Sequence, residues 1–108
     1  MKSLRLYRAK NGKEPFAEWL DNLKDHIVAA QVNNRVRRLS LGQYGDYRRV
    51  GKGIFELRIH YGAGYRVYFA EHGKEIIILL LGGNKGSQKR DIQQAMIYWQ
   101  DYQEQYYE

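Results

Sequence analysis

The sequence predicts a single α+β domain over residues 1–108, with helices packed against a small, twisted, mostly antiparallel sheet. Three observations support this class. Apolar or alternating segments separated by glycine-rich turns follow one another between residues 54 and 81. Apolar residues recur at spacings of three and four on either side of that region, as in amphipathic helices. The chain has 108 residues and is 44% hydrophobic, which suffices for one core but not for two domains.

The N-terminal part predicts one strand followed by two helices. Leu4 and Leu6 lie on one side of a short alternating segment, which is typical of a strand. Pro15 suits the first turn of a helix, where its missing N–H group costs nothing. Asp25 suits the N-cap of a second helix, which we expect to end before Gly42. The apolar positions are Phe16, Leu20 and Leu23 in the first helix and Val28, Val32, Val36 and Leu39 in the second.

A polar, basic segment at residues 43–52 predicts a loop. Two strands follow at residues 54–61 and 65–70, and the Gly62-Ala-Gly64 turn joins them into a hairpin. Pairing across a three-residue turn places apolar side chains on one side of the hairpin. The other side carries a polar set facing solvent, with Arg58 opposite Tyr68 and His60 opposite Arg66.

The C-terminal part predicts a central strand, a loop and a last helix. Residues 76–81 are apolar on both sides, as in a strand covered on both faces. Residues 82–88 are glycine-rich and predict a loop, and Ser87 suits the cap of a helix with Ile92, Met96 and Trp99 on its apolar side. The acidic, tyrosine-rich residues 100–108 predict a frayed tail. The predicted element order is β-α-α-β-β-β-α.

The polar side of the hairpin suits phosphodiester chemistry. Arginine presents a fixed, permanently charged fork to phosphate oxygens. Histidine is the residue type best suited to proton transfer near neutral pH. RNA supplies its own nucleophile, the 2′-hydroxyl, so this chemistry needs no metal ion. The spacing leaves a second interpretation open, in which these residues only form a solvated strand face.

The charge distribution favours a polyanionic partner. The net charge is +6, and all 18 Lys and Arg residues precede residue 91, whereas the last 18 residues carry only acids. The basic residues are densest between Arg35 and Arg66, which is typical of a nucleic-acid or ribosome-binding surface, although a solvated basic surface without a partner is the alternative. The candidate RNA-binding residues are Arg35, Arg38, Arg48, Arg49, Lys52 and Lys89.

Other classes of protein are excluded by composition. The chain has no cysteine, which excludes disulfides and thiolate metal sites, and no His, Asp or Glu cluster has metal-ligand spacing. We therefore expect no metal and no cofactor. The longest apolar run, residues 76–81, is too short to span a bilayer. The first ten residues resemble no secretion signal, so we expect a cytoplasmic protein.

Three motifs together resemble the RelE/ParE toxin superfamily, and more narrowly its HigB-like "addiction module killer protein" branch, which is related to phage-derived proteins. The motifs are GKGIFELRIH at residues 51–60, GYRVYF at residues 64–69 and LGGNK at residues 81–85, followed by Gln88 and Asp91-Ile92. The early PFAEWL segment extends the resemblance over nearly the whole chain. The resemblance implies the same small fold of sheet and helices.

The resemblance implies the toxin of a type II toxin–antitoxin pair, with a helix-turn-helix antitoxin as its partner and operator DNA bound only through that antitoxin. RelE-like and HigB-like toxins cut mRNA in the ribosomal A site without metal, by activating the 2′-hydroxyl for attack on the adjacent phosphate. The mRNA and the ribosome are then further partners. A ParE-like inhibitor of DNA gyrase and a non-catalytic basic binding module are the alternatives.

The resemblance also implies roles for individual residues. Arg66 matches the sheet arginine that stabilises phosphate charge, Arg58 matches a basic residue of the preceding strand, and Lys85 matches the basic residue after the last strand. The acid–base tyrosine common in RelE-like toxins is missing from residues 86–91, and Tyr68 is our candidate to replace it. His60 has no firm counterpart, and we predict it as base or acid from its chemistry alone.

Overall fold

The computed structural model describes residues 1–106 as one five-stranded sheet and three α-helices, in agreement with the predicted α+β class. Within these residues, no helix has the length and apolarity that crossing a bilayer requires. The elements are β1 (Ser3–Leu6), α1 (Pro15–Asp21), α2 (His26–Ser40), β2 (Tyr47–Gly51), β3 (Ile54–Ile59), β4 (Tyr65–His72), β5 (Ile76–Asn84) and α3 (Gln88–Tyr106), with a 3-10 turn at Lys85–Ser87 before α3.

The sheet has the strand order β1-β5-β4-β3-β2 and is antiparallel except for the parallel pair β1 and β5. Strand β2 lies in the segment predicted as a loop, so that prediction is wrong. A basic edge strand shows no hydrophobic alternation, and its pairing partners on β3 determine it instead. Arg48 lies opposite Glu56, and Arg49 lies opposite Phe55 with its guanidinium 5.3 Å from the ring centroid.

Helices cover both faces of the sheet. On one face, which we call the apolar face, the buried residues of α1 and α2 pack on side chains such as Leu57 and Val67. On the other, which we call the α3 face, Ala95 and Trp99 pack over Tyr68. The prediction that the second side of the hairpin faces solvent throughout is therefore wrong, because α3 covers part of it.

The hairpin register differs from the predicted one by two residues. Leu57 pairs with Val67 and Arg58 pairs with Arg66, so the turn spans residues 60–64 rather than three residues. Side chains alternate along a strand with a period of two, so a shift by two leaves each side chain on its predicted side. The apolar and polar sets are therefore separated as expected, while the individual pairs differ.

Strand β5 continues through the glycines that predicted a loop. A Cβ atom at Gly82 would lie 2.1 Å from the Trp19 ring, and one at Gly83 would lie 1.9 Å from Asp91 Oδ2. These glycines therefore let α1 and α3 approach the strand. Ser87 directly precedes α3, at the predicted cap position, but its Oγ donates to the Asp91 side chain. Asn84 caps the 3-10 turn, where its Oδ1 accepts the Ser87 N–H at 3.1 Å.

Helix α3 extends to Tyr106, so the predicted fraying of the tail is wrong up to that residue, and residues 107 and 108 lie outside the described part of the chain. Two contacts hold the last turns of α3, one with β1 and one with the residue that follows β1. Tyr7 Oη donates to Asp101 at 2.5 Å, and Arg5 Nη1 donates to Tyr102 Oη at 2.7 Å. Tertiary contacts thus order a segment whose composition alone favours disorder.

Candidate functional site

An open cleft of about 520 Å³ lies at the turn between β3 and β4. Its walls come from the end of β3, the 60–64 turn, the start of β4 and the first residue after β5. The cleft brings together four of the five predicted catalytic residues, which are Arg58, His60, Arg66 and Lys85. Lys85 is placed there by the turn, because its backbone N–H donates to the Gly64 carbonyl at 3.3 Å.

The two sheet arginines lie directly opposite each other, and each contacts a carboxylate. Arg58 Nη2 lies 3.0 Å from Asp46 Oδ1, while Arg66 Nε lies 3.5 Å from Glu56 Oε2. The Arg58 side chain is 36% exposed and the Arg66 side chain 12%. Like charges on paired positions repel each other, and the two carboxylates offset this repulsion.

Glu56 is fully buried next to Arg66, which lines the cleft. It accepts hydrogen bonds from Arg48 Nε at 3.0 Å and from Gln88 Nε2 at 2.8 Å, in addition to its ion pair with Arg66. Burial by itself raises the pKa of Glu56, but the hydrogen bonds from Gln88 and Arg48 and the charges of the two arginines outweigh it and lower that pKa. A buried carboxylate thus links β2, β3, β4 and α3.

Asp46 links the exposed part of the site. Its Oδ1 accepts from Arg58 Nε and Nη2 at 3.3 and 3.0 Å, and its Oδ2 contacts His60 Nε2. The hydrogen bond with His60 is the largest cause of the lowered pKa of Asp46, and the contact with Arg58 acts in the same direction. Asp46 lies in the segment predicted as a loop, so no pattern in the sequence marked it. Glu56 was not predicted either, although an acidic residue among the polar positions of β3 was a usable signal.

Arg35 was predicted to bind RNA, and the structure places it behind the site. Its Nη1 donates to the Arg58 carbonyl at 2.6 Å, and its Nη2 donates to the carbonyls of Tyr44 and Asp46 at 3.1 and 3.4 Å. The guanidinium therefore ties α2 to β3 and to the segment before β2. Its contacts are those of a residue that holds the backbone of the site.

Tyr68 does not line the cleft. Its side chain is fully buried under α3, and among residues 1–106 its hydroxyl has no partner in hydrogen-bond geometry. Burial, followed by the nearby charge of Glu56, raises the pKa of this hydroxyl. The prediction that Tyr68 is a solvent-facing member of the polar set is therefore wrong, because the set continues beneath a helix that the hairpin pattern does not reveal.

The remaining predicted RNA-binding residues are exposed but do not line the cleft. Arg48 and Arg49 lie on opposite faces of β2, with the contacts to Glu56 and Phe55 described above. The others are Arg38 near the end of α2, Lys52 in the β2–β3 turn and Lys89 at the start of α3. Within the described part of the chain, no group of three or more His, Cys, Asp or Glu residues could hold a metal ion.

The fold and the cleft define a small α+β protein with a basic, open site at one end of its sheet. The phage-derived protein Gp49-like family (DUF891) matches residues 18–98. The chain is also 45% identical, over 86 residues, to an uncharacterised protein of Haemophilus influenzae, covering 80% of this chain and 87% of that protein. The chain belongs to the Gp49-like family, which is related to toxin–antitoxin systems of the RelE/HigB type.

Proposed function

We propose that this protein is the toxin of a type II toxin–antitoxin pair and cuts mRNA on the ribosome as an endoribonuclease. The observation that carries the proposal is the cleft, in which Arg58, Arg66, Lys85 and His60 converge from separate elements. Three cations suit a phosphodiester, and the exposed histidine beside them suits proton transfer. Membership of the Gp49-like family supports the toxin role.

The proposed reaction is an internal transesterification. The 2′-hydroxyl loses its proton to His60, and its oxygen bonds to the adjacent phosphorus. The bond from that phosphorus to the 5′ oxygen of the next nucleotide breaks, and the departing oxygen takes a proton from water. The hydroxide so formed takes back the proton that His60 gained, which restores the neutral ring. Arg58, Arg66 and Lys85 stabilise the charge on the phosphate oxygens as it grows. The nucleophile comes from the RNA, so the mechanism needs no metal ion.

The proposal also defines the partners and the location. A helix-turn-helix antitoxin would neutralise the toxin and carry it to operator DNA, and the mRNA and ribosome would be met in the cytoplasm. Exposed basic residues outside the cleft would contact neighbouring phosphates of the mRNA or the ribosomal RNA. These residues are Arg38, Arg48, Arg49, Lys52 and Lys89.

Substitution of the cleft arginines tests the reaction. We expect Arg58→Ala to slow cleavage of ribosome-bound mRNA by about a hundredfold or more, because it removes a charge aimed at the phosphate. Arg66→Lys keeps the charge beside Glu56 but removes the planar guanidinium fork. We expect it to slow cleavage as well. Arg66→Ala is less suitable because it leaves the buried Glu56 without one of its cations. Primer extension on purified ribosomes programmed with mRNA measures the cuts.

A matched control is Arg8→Ala, since Arg8 is exposed, pairs with Glu14 at 3.3 Å and lies outside the cleft. It should cut like the wild-type protein. Growth arrest on expression with intact mRNA and a loss of DNA supercoiling would overturn the proposal in favour of a gyrase inhibitor. Expression of the wild-type protein without growth arrest would support a non-catalytic binding module instead.

A further inference from the structure

We propose that Asp46 is a positioning residue that keeps the proton of the His60 ring on Nε2, so that Nδ1 takes the proton from the RNA 2′-hydroxyl. The substrate in this statement rests on the proposed function, whereas the orientation of the ring does not. The sequence pattern assigns no role to Asp46. The inference follows from three features of the structure: the contact itself, the rigidity of the segment that carries Asp46, and the exposure of His60.

The contact determines which ring nitrogen carries the proton. Asp46 Oδ2 contacts His60 Nε2, while Oδ1 accepts two hydrogen bonds from Arg58. An ionised carboxylate can only accept hydrogen bonds, so Nε2 must be the donor. The lowered pKa of Asp46 agrees with an ionised carboxylate at neutral pH. A neutral imidazole has one N–H group, and Nδ1 is then the nitrogen with a free lone pair.

The backbone of Asp46 is fixed from two other elements. Its carbonyl accepts the Arg58 N–H of β3 at 3.0 Å and Arg35 Nη2 of α2 at 3.4 Å. Gly45 has a φ of +66°, and a Cβ atom there would lie 2.9 Å from Arg35 Nη2. The glycine thus lets the chain pass close over the guanidinium. The carboxylate is therefore positioned by the fold and not by a freely moving loop.

The ring itself is accessible from the cleft. The His60 side chain is 73% exposed and lines the cleft beside Arg58 and Arg66. In the proposed step the 2′-hydroxyl proton moves to Nδ1, the 2′ oxygen bonds to phosphorus and the 5′ oxygen leaves with a proton from water. The ring becomes an imidazolium, whose charge the Asp46 carboxylate stabilises through Nε2–H. Asp46 thus acts on the substrate only through His60 and Arg58.

Nuclear magnetic resonance of the ¹⁵N-histidine-labelled protein tests the orientation without RNA. Long-range ¹H–¹⁵N spectra, recorded at a pH at which the ring is neutral, distinguish the Nε2–H form from the Nδ1–H form. We expect Nε2–H for His60 in the wild-type protein. In Asp46→Asn the side-chain amide can donate to Nε2, which favours Nδ1–H, as the equivalent change does in serine proteases. Asp46→Ala, which offers no donor, should give a mixture, while the His26 and His72 signals stay unchanged.

Single-turnover cleavage of ribosome-bound mRNA tests the consequence. We expect Asp46→Asn to lower the cleavage rate by roughly a hundredfold or more. Its affinity for a non-cleavable mRNA with a 2′-deoxy cleavage site should stay within about twofold, because Arg58, Arg66 and Lys85 keep their charges. Asp46→Glu restores a carboxylate and should recover part of the rate. Asp21→Asn, which changes an exposed carboxylate at the end of α1, is the matched control and should match the wild-type protein.

Three results would overturn the inference: an Nδ1–H ring in the wild-type protein, an unchanged ring form in Asp46→Asn, or a changed ring form with an unchanged cleavage rate. Failure of the proposed function is distinguishable from these results. A wild-type protein that has the Nε2–H ring but cuts no mRNA overturns the ribonuclease and the role of Nδ1, while the orientation of the ring by Asp46 still holds.

Discussion

The two faces of the sheet differ in what surrounds a buried side chain. Leu57 and Glu56 are neighbours on β3 and both are fully buried, but they point to opposite faces. Leu57 packs among apolar side chains, whose contacts are non-directional. Glu56 depends on particular hydrogen bonds and charges from Arg48, Arg66 and Gln88. On the α3 face, therefore, the replacement of one buried polar residue disturbs several elements at once.

The largest effect should come from the buried carboxylate. We expect Glu56→Ala to lower the free energy of unfolding by about 3–5 kcal/mol, because it leaves two arginines and a glutamine without their shared acceptor. Leu57→Ala on the apolar face should cost about 2–5 kcal/mol through cavity formation. Urea denaturation measures both losses. A loss below about 1 kcal/mol for Glu56→Ala would show that the charged cluster is not needed for stability.

Substitution of the two adjacent glycines of β5 compares the two faces more directly. Gly82→Ala places a Cβ atom against the packed indole of Trp19 and should cost about 3 kcal/mol. Gly83→Ala meets the carboxylate of Asp91, which is smaller than the indole and can move by giving up its hydrogen bond from Ser87 Oγ, so the substitution should cost about 2 kcal/mol. Thermal or urea unfolding of the two variants side by side measures the difference. Equal losses of stability in the two variants would contradict the view that Trp19 is the more rigid neighbour and Asp91 the more adaptable one.

Glu56, on the α3 face, should contribute to the pH dependence of stability. The pKa of Glu56 is lowered in the folded protein, so the folded state binds fewer protons than the unfolded state around the ordinary glutamate pKa of 4.5. Its contribution is therefore complete above that pH and is lost as the pH falls through the folded pKa. Urea unfolding between about pH 6 and pH 3 should show a smaller decline in Glu56→Gln than in the wild-type protein. Parallel declines of stability in the two proteins would contradict a contribution from Glu56.

The smallest effect on stability should come from the exposed ion pair. Asp46 and Arg58 are 37% and 36% exposed, so we expect Asp46→Ala to cost less than about 1 kcal/mol. The same substitution should nevertheless impair mRNA cleavage, because it releases His60. Denaturation and cleavage measured on one preparation separate the two effects. A loss of several kcal/mol would mean that Asp46 acts mainly through stability.

Local sequence patterns correctly predicted the regular elements of the core. Alternation placed Arg58 and Arg66 on one side of the hairpin and Leu57 on the other, even though the predicted register was wrong by two residues. Arg58, His60, Arg66 and Lys85 were recognised as a possible site from the hairpin pattern and the family resemblance. The presence of all four at one cleft agrees with that prediction of their location. Their roles in catalysis are still predictions.

The sequence by itself therefore determined the helices, the strands with an apolar side and the side of the sheet on which each hairpin residue lies. These features depend on periods of two or about 3.6 residues, which can be observed within one short segment. Only the tertiary structure decided that β2 is a strand, that Gly82 and Gly83 are packing positions, and that α3 buries Tyr68. It also decided that Asp46 and Glu56 support the site, because their partners lie in other elements and no local pattern records such contacts.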